Sequence, residues 1–129
     1  MKPTTPTISV LMPVYNCGVY LDAAVRSVRD QTWTDLELVA VNDGSTDGSL
    51  DVLQRHADED ERVVVIDQPN GGIVAALNAG LARCRGAFIA RMDGDDVAYP
   101  HRLERQLAWM RAHPEAVAVG CQTRVIDGD

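Results

Sequence analysis

The feature that most limits what this chain can fold into is an alternation. Short, nearly continuous apolar runs take turns with segments whose apolar residues recur at helical spacing. The runs are "TISVLMPVY" (7 to 15), "DLELVAVND" (35 to 43), "RVVVIDQ" (62 to 68) and "GAFIARM" (86 to 92). Each is too short for a typical helix and is apolar on both faces, which predicts strands buried on both sides of a parallel sheet. Leu21, Ala24, Val25 and Val28 predict a helix over about 18–31. Leu50, Leu53 and Ala57 predict a second, which dissolves in the acidic stretch Asp58 to Glu61. Ile73, Ala76, Leu77 and Leu81 predict a third, ending near Arg83 to Arg85. Leu103, Leu107 and Met110, entered at Pro100, predict a fourth. "AVAVGCQTRVID" (116 to 127) predicts a fifth strand or a strand pair.

The order β-α-β-α-β-α-β-loop-α-β predicts an α/β fold, a mostly parallel sheet with helices on both faces. With 129 residues there is room for one domain with a real core, and no repeat or linker divides it. Residues 1–129 are therefore read as a single domain. "GSTDGS" (44 to 49) is loop and helix-cap chemistry, with Ser45 or Thr46 available to cap, and "PNGG" (69 to 72) is a turn. In sheets of this kind ligands sit beyond the C-terminal strand ends. Those ends are polar here: Tyr15-Asn16, Asn42-Asp43, Asp67-Gln68 and Asp93 to Asp96. They should converge along one edge.

Charge and cysteines remove several classes of function. The net charge is -7, with a single lysine, Lys2, beside eleven arginines and no basic run. That argues against a nucleic-acid partner. No apolar run reaches the length of a membrane span, and the polar N-terminus does not read as a signal peptide. Cys17, Cys84 and Cys121 are odd in number and widely spaced, so the expectation is reduced thiols in the cytoplasm rather than disulfides. No spacing among them and His56, His101 or His113 fits a zinc site. The Arg- and Ala-rich composition suggests a GC-rich bacterial genome.

Asp93, Asp95 and Asp96 put three like charges within four residues, which costs stability unless a cation or hydrogen-bonding ligand offsets it. A solvated cap loop would not need three. A calcium loop of the EF-hand kind fails, because the fifth position from Asp93 is Val97. D-x-D-x-[TV] after an apolar strand also resembles the nucleophile motif of haloacid-dehalogenase-type phosphatases, with Asp93 as nucleophile. That motif usually opens its domain, whereas only 32 residues follow Val97 and none is a lysine.

"ISVLMPVYN", "VNDGSTDGS", "NGGIVAALNAGL" and "MDGDD" followed by "YPHRL" resemble, in order and spacing, the family-2 glycosyltransferases of the GT-A fold. The likeness runs from about Ile8 to the last residue. It implies a Rossmann-like nucleotide-diphospho-sugar transferase fold, and a nucleotide-binding set of Pro13, Val14, Tyr15, Asp43, Gly72, Asp93, Gly94 and Asp95. Tyr15 would pack on the base. Asp43, an acceptor only, would take a ring N–H, which favours a UDP- or dTDP-sugar over a cytidine donor. Asp93 would approach ribose and metal, and Asp95 would bind Mg²⁺ or Mn²⁺. Gly44 and Gly71-Gly72 would let the backbone run close to the ligand. Arg83 and Arg85 are expected on the surface at a helix C-terminus rather than at a phosphate. His101 is left without a role.

The resemblance further implies inverting transfer to an acceptor hydroxyl, with a carboxylate base well downstream of the D-x-D. No such base is identified, and "VIDGD" ends on what reads as the start of a hairpin turn. The expectation is the donor-binding half of a longer domain, truncated at its C-terminus and inactive alone. The alternative is a nucleotide- or partner-binding module without catalysis. Sugar and acceptor are open. Self-association through the C-terminal strands, with Val117, Val119 and Val125 exposed, is expected of such an end.

Overall fold

A computed structural model describes residues 5–126. Four parallel strands form the sheet: β1 (Ile8–Val14), β2 (Leu36–Asp43), β3 (Val63–Gln68) and β4 (Phe88–Arg91). Their order in space is β3-β2-β1-β4. Four helices connect or follow them: α1 (Leu21–Arg29), α2 (Ser49–Glu59), α3 (Ile73–Arg83) and α4 (Arg102–Ala112). A short 3-10 turn, Gly18–Tyr20, leads into α1.

β1 and β2 are central and every one of their residues is buried. That is why both read as continuous apolar runs: neither face meets water. Pairing is in register, Ile8 beside Leu36 through Val14 beside Asn42. Ile8, Val10, Met12 and Val14 therefore share a face with Leu36, Leu38 and Ala40. Leu21, Ala24, Val25 and Val28 of α1, Leu53 of α2, and Leu103 and Leu107 of α4 join them in the main core. α3 takes the opposite face. Gly80 there lies so near the sheet that a Cβ would fall 2.3 Å from Leu11 Cδ1.

Two expectations need correction. The stretch 116–126 is not a strand among the described residues, and the hairpin turn read at Asp127-Gly128 lies outside them. Alternating apolar residues favour a strand only where a neighbouring strand takes up the backbone hydrogen bonds, and this stretch pairs with none. Val117 and Val125 are almost fully exposed, and Val119 is half-buried. The second correction concerns α2. Neither Ser45 nor Thr46 caps it: Gly48 is the N-cap, and Asp47 Oδ1 accepts the Ser49 N–H at 2.9 Å. No helix among the described residues is long and apolar enough to cross a membrane.

Candidate functional site

Parallel pairing brings the C-terminal strand ends together. Val14 sits beside Asn42, and Asn42 beside Asp67. Beyond these ends lies a cavity of about 410 Å³. Pro13, Val14 and Tyr15 line it from the end of β1, Asp43 from β2 and Gly72 from the start of α3. Asp93, Gly94 and Asp95 line it from the loop after β4. All eight residues of the nucleotide-binding set thus border one space.

Asp43 is buried, at 4% exposure. Its Oδ1 accepts Gln68 Nε2 at 3.0 Å and the Gly71 N–H at 2.8 Å. Its Oδ2 accepts the Gly72 N–H at 3.0 Å. These bonds, the Gln68 amide first, hold the carboxyl below its usual pKa. Asp43 thereby takes up N–H groups at the start of α3, where negative charge is favoured. The fourth of its roughly four lone-pair sites takes only a long contact, Asn70 Nδ2 to Oδ2 at 3.5 Å, which a better-placed donor could displace. Gly44 does not line the cavity and packs on Asn70: at φ 72°, a Cβ on it would lie 2.6 Å from the Asn70 nitrogen.

The aspartate loop is packed from beneath. Gly94 is buried, and a Cβ there would lie 2.7 Å from Cys17 Sγ. Only glycine lets Asp93 and Asp95 rise on either side while the backbone rests on Cys17, Leu21 and Val14. Burial pushes the Cys17 thiol pKa up, against hydrogen bonding to the Tyr15 backbone, with nearby aspartates adding to the rise. Carboxylate oxygens of Asp93, Asp95 and Asp96 all lie within 4.8 Å of one another. Burial, then the charges of Asp95 and Asp93, raises the pKa of Asp96. The set is all oxygen and partly exposed, so it fits a hard divalent cation.

Arg91 Nη2 lies 3.2 Å from Asp93 Oδ1, which puts one cation beside the cluster. Arg83 ends α3 on the surface. Arg85 bonds Glu37 at the N-terminal part of β2, through its N–H at 2.7 Å and its Nε at 3.1 Å. His101 is the N-cap residue of α4 and does not line the cavity.

Residues 9–129 match the profile of glycosyl transferase family 2. The chain belongs to this family. Among curated family members, it is 36% identical over 124 residues to the putative glycosyltransferase EpsE of Bacillus subtilis, covering 95% of this chain and 45% of EpsE. It is 39% identical over 122 residues to chondroitin synthase of Escherichia coli, covering 95% of this chain and 18% of that enzyme. The chain thus spans less than half the length of these relatives. Among solved structures, the mannosyltransferase PcManGT of Pyrobaculum calidifontis, in complex with GDP-Man and Mn²⁺, superposes with a TM-score of 0.79 at 26% identity, over 94% of this chain and 36% of that one. Staphylococcus aureus TarS 1–349, in complex with UDP-GlcNAc, gives 0.76 at 28% identity, over 83% of this chain and 32% of that one. The fold of the family-2 chain is therefore GT-A, as its motifs imply.

Four further lining residues escaped the sequence reading: Cys17, Asn70, Ile73 and Ala76. Ile73 and Ala76 carried a signal. They stand three apart at the start of a helix whose N-terminus follows a ligand-edge turn, so one face had to look toward the cavity. Cys17 and Asn70 carried none, because their place depends on loops from different strands.

Proposed function

We propose that this chain is the donor-binding part of an inverting glycosyltransferase. It binds a nucleoside-diphosphate sugar, with a UDP- or dTDP-sugar favoured, for transfer to an acceptor hydroxyl. One observation carries the reading: eight residues from four separate segments, chosen by motif, border a single cavity beside a cluster of three carboxylates. The complexes of PcManGT with GDP-Man and Mn²⁺ and of TarS with UDP-GlcNAc support the ligand class.

Tyr15, 54% exposed at the end of β1, offers a ring face to the base. A ring N–H would replace the long Asn70 contact on Asp43 Oδ2; uracil, thymine and guanine have one, and cytosine lacks it at that place. Asp93 and Asp95 face the ribose and the diphosphate. Mg²⁺ or Mn²⁺ held by Asp95 and Asp93 would supply charge stabilisation for the departing nucleoside diphosphate. Gly72 contributes backbone surface only, since its N–H is given to Asp43. Gly94 sets the height of the two aspartates. No catalytic base is assigned.

Titration calorimetry tests the reading. UDP should bind the chain in Mn²⁺ more tightly than CDP does, and a chelator should weaken it. Equal affinity for the two nucleotides, or no effect of the chelator, would remove Asp43 from the base or the metal from the site.

A further inference from the structure

In the loop that carries Tyr15, apolar packing comes from Cys17, which is half-buried against the main core and beneath Gly94. Tyr15, Asn16, Gly18, Val19 and Tyr20 are all exposed. What ties these exposed residues down is a set of polar contacts to the loop after β2. The Asn16 N–H donates to Ser45 Oγ at 3.0 Å. Asn16 Oδ1 accepts the Thr46 N–H at 2.8 Å. The Gly18 N–H donates to Asp47 Oδ2 at 3.1 Å, while Asp47 Oδ1 holds the Ser49 N–H at the start of α2. Asn16 has a φ of 50°, in the left-handed region that asparagine tolerates better than most residues.

We propose that Asn16 and Asp47 are positioning residues. They lock the loop 15–18 onto the loop 45–47 and so hold the Tyr15 ring at the mouth of the cavity before a ligand arrives. Asp47 ties that lock to the N-terminus of α2, so the two loops move as one body. Neither residue lines the cavity. Their effect on a nucleotide is indirect: a ring already held in place loses less freedom on binding. The consequence for affinity rests on the proposed nucleotide reading of the cavity, whereas the lock itself does not.

Substitutions at Asn16 separate the lock from the backbone shape. Asn16→Gly keeps the left-handed conformation and deletes the side-chain acceptor. Asn16→Asp keeps both the acceptor and tolerance of that conformation. Backbone NMR relaxation of the free chain should show Tyr15 and Cys17 losing order in Asn16→Gly while Val10 and Met12 do not change. Asn16→Asp should keep the order of the native loop. UDP titration in Mn²⁺ should show Asn16→Gly weakened about three- to tenfold and Asn16→Asp within about twofold. Ser45→Ala, which removes the acceptor of the Asn16 N–H, gives the same readout should Asn16→Gly fold poorly. An unchanged loop in both Asn16→Gly and Ser45→Ala would overturn the proposal. So would an Asn16→Asp loop as loose as that of Asn16→Gly. A native chain with no affinity for UDP would sink the nucleotide reading, and the relaxation data would still decide the lock.

Discussion

Asp43 Oδ2 accepts the backbone N–H of Gly72 at 3.0 Å, so the last residue of β2 takes up an N–H at the start of α3. One carboxylate therefore does two things at the cavity wall. It holds the connection 69–72 in place, and on Oδ2 it keeps a site met only by the long contact from Asn70 Nδ2 at 3.5 Å.

Replacing Asp43 separates the two. Asp43→Ala removes both roles and should weaken UDP binding roughly five- to hundredfold, the range for a lost hydrogen bond to a charged group. It should also loosen the turn, seen as faster amide exchange at Gly71 and Gly72. Asp43→Asn keeps part of the turn, and its amide adds a donor. The preference for UDP over CDP should shrink in that variant, as measured by calorimetry.

Asp95→Asn should abolish the dependence of UDP binding on Mn²⁺. Asp58→Asn, on the exposed end of α2, should not. Calorimetry with and without metal reads both. A Mn²⁺ effect that survives in Asp95→Asn would take this residue out of the metal set.

Gly94 packs on Cys17, so the two positions should be coupled. Gly94→Ala puts a methyl where Cys17 Sγ already lies and should destabilise the fold by about 1–3 kcal/mol. Cys17→Ala in the same chain removes that sulfur and should recover part of the loss. Urea unfolding of the two single variants and the double variant gives the coupling energy directly.

Asp60 gives the clearest pH dependence. Arg62 bonds it at both oxygens, Nη2 to Oδ2 at 2.8 Å and Nε to Oδ1 at 3.0 Å. The pair, led by Arg62, lowers the Asp60 pKa from 3.8 to about 2. A carboxyl with a depressed folded pKa stabilises fully above its unfolded value. That contribution is lost as pH falls from about 4 toward 2. It amounts to on the order of 2 kcal/mol. Asp60→Asn should lower stability at pH 7 and flatten the acid limb, as followed by Trp33 and Trp109 fluorescence.

The stretch 116–126 and the outer edge of β4 offer unpaired backbone and exposed valines. Such edges favour pairing with another chain. Light scattering across a concentration series should show self-association of the 129-residue chain, reduced by Val125→Lys. A strictly monomeric chain would contradict this expectation.

Much of the architecture was legible in the sequence because burial on two faces demands it. β1 and β2 lie between α3 and the α1, α2 and α4 layer, so every position had to be apolar or internally paired, and the run of residues says so. α1 was equally plain, since Leu21, Ala24, Val25 and Val28 form its buried stripe. α3 was not: Ile73 and Leu81, read as part of its stripe, are exposed, and it buries Ala76 and Gly80. The eight cavity residues could be chosen by motif because a parallel sheet sends all its strand ends to one edge. What the sequence could not decide depends on contacts between distant segments. The stretch 116–126 has the alternation of a strand, but pairing needs a partner, and local propensity does not supply one. Ser45 and Thr46 have the chemistry of helix caps, yet Ser45 Oγ and the Thr46 N–H are bonded to Asn16, 29 and 30 residues earlier. The N-cap position falls instead on Gly48, with Asp47 holding the first N–H. Asp43 has the chemistry of a ligand acceptor, but only the folded chain shows that most of its lone pairs are given to Gln68, Gly71 and Gly72. A side chain's chemistry is local, whereas its partners are set by which loops the sheet brings within hydrogen-bond reach.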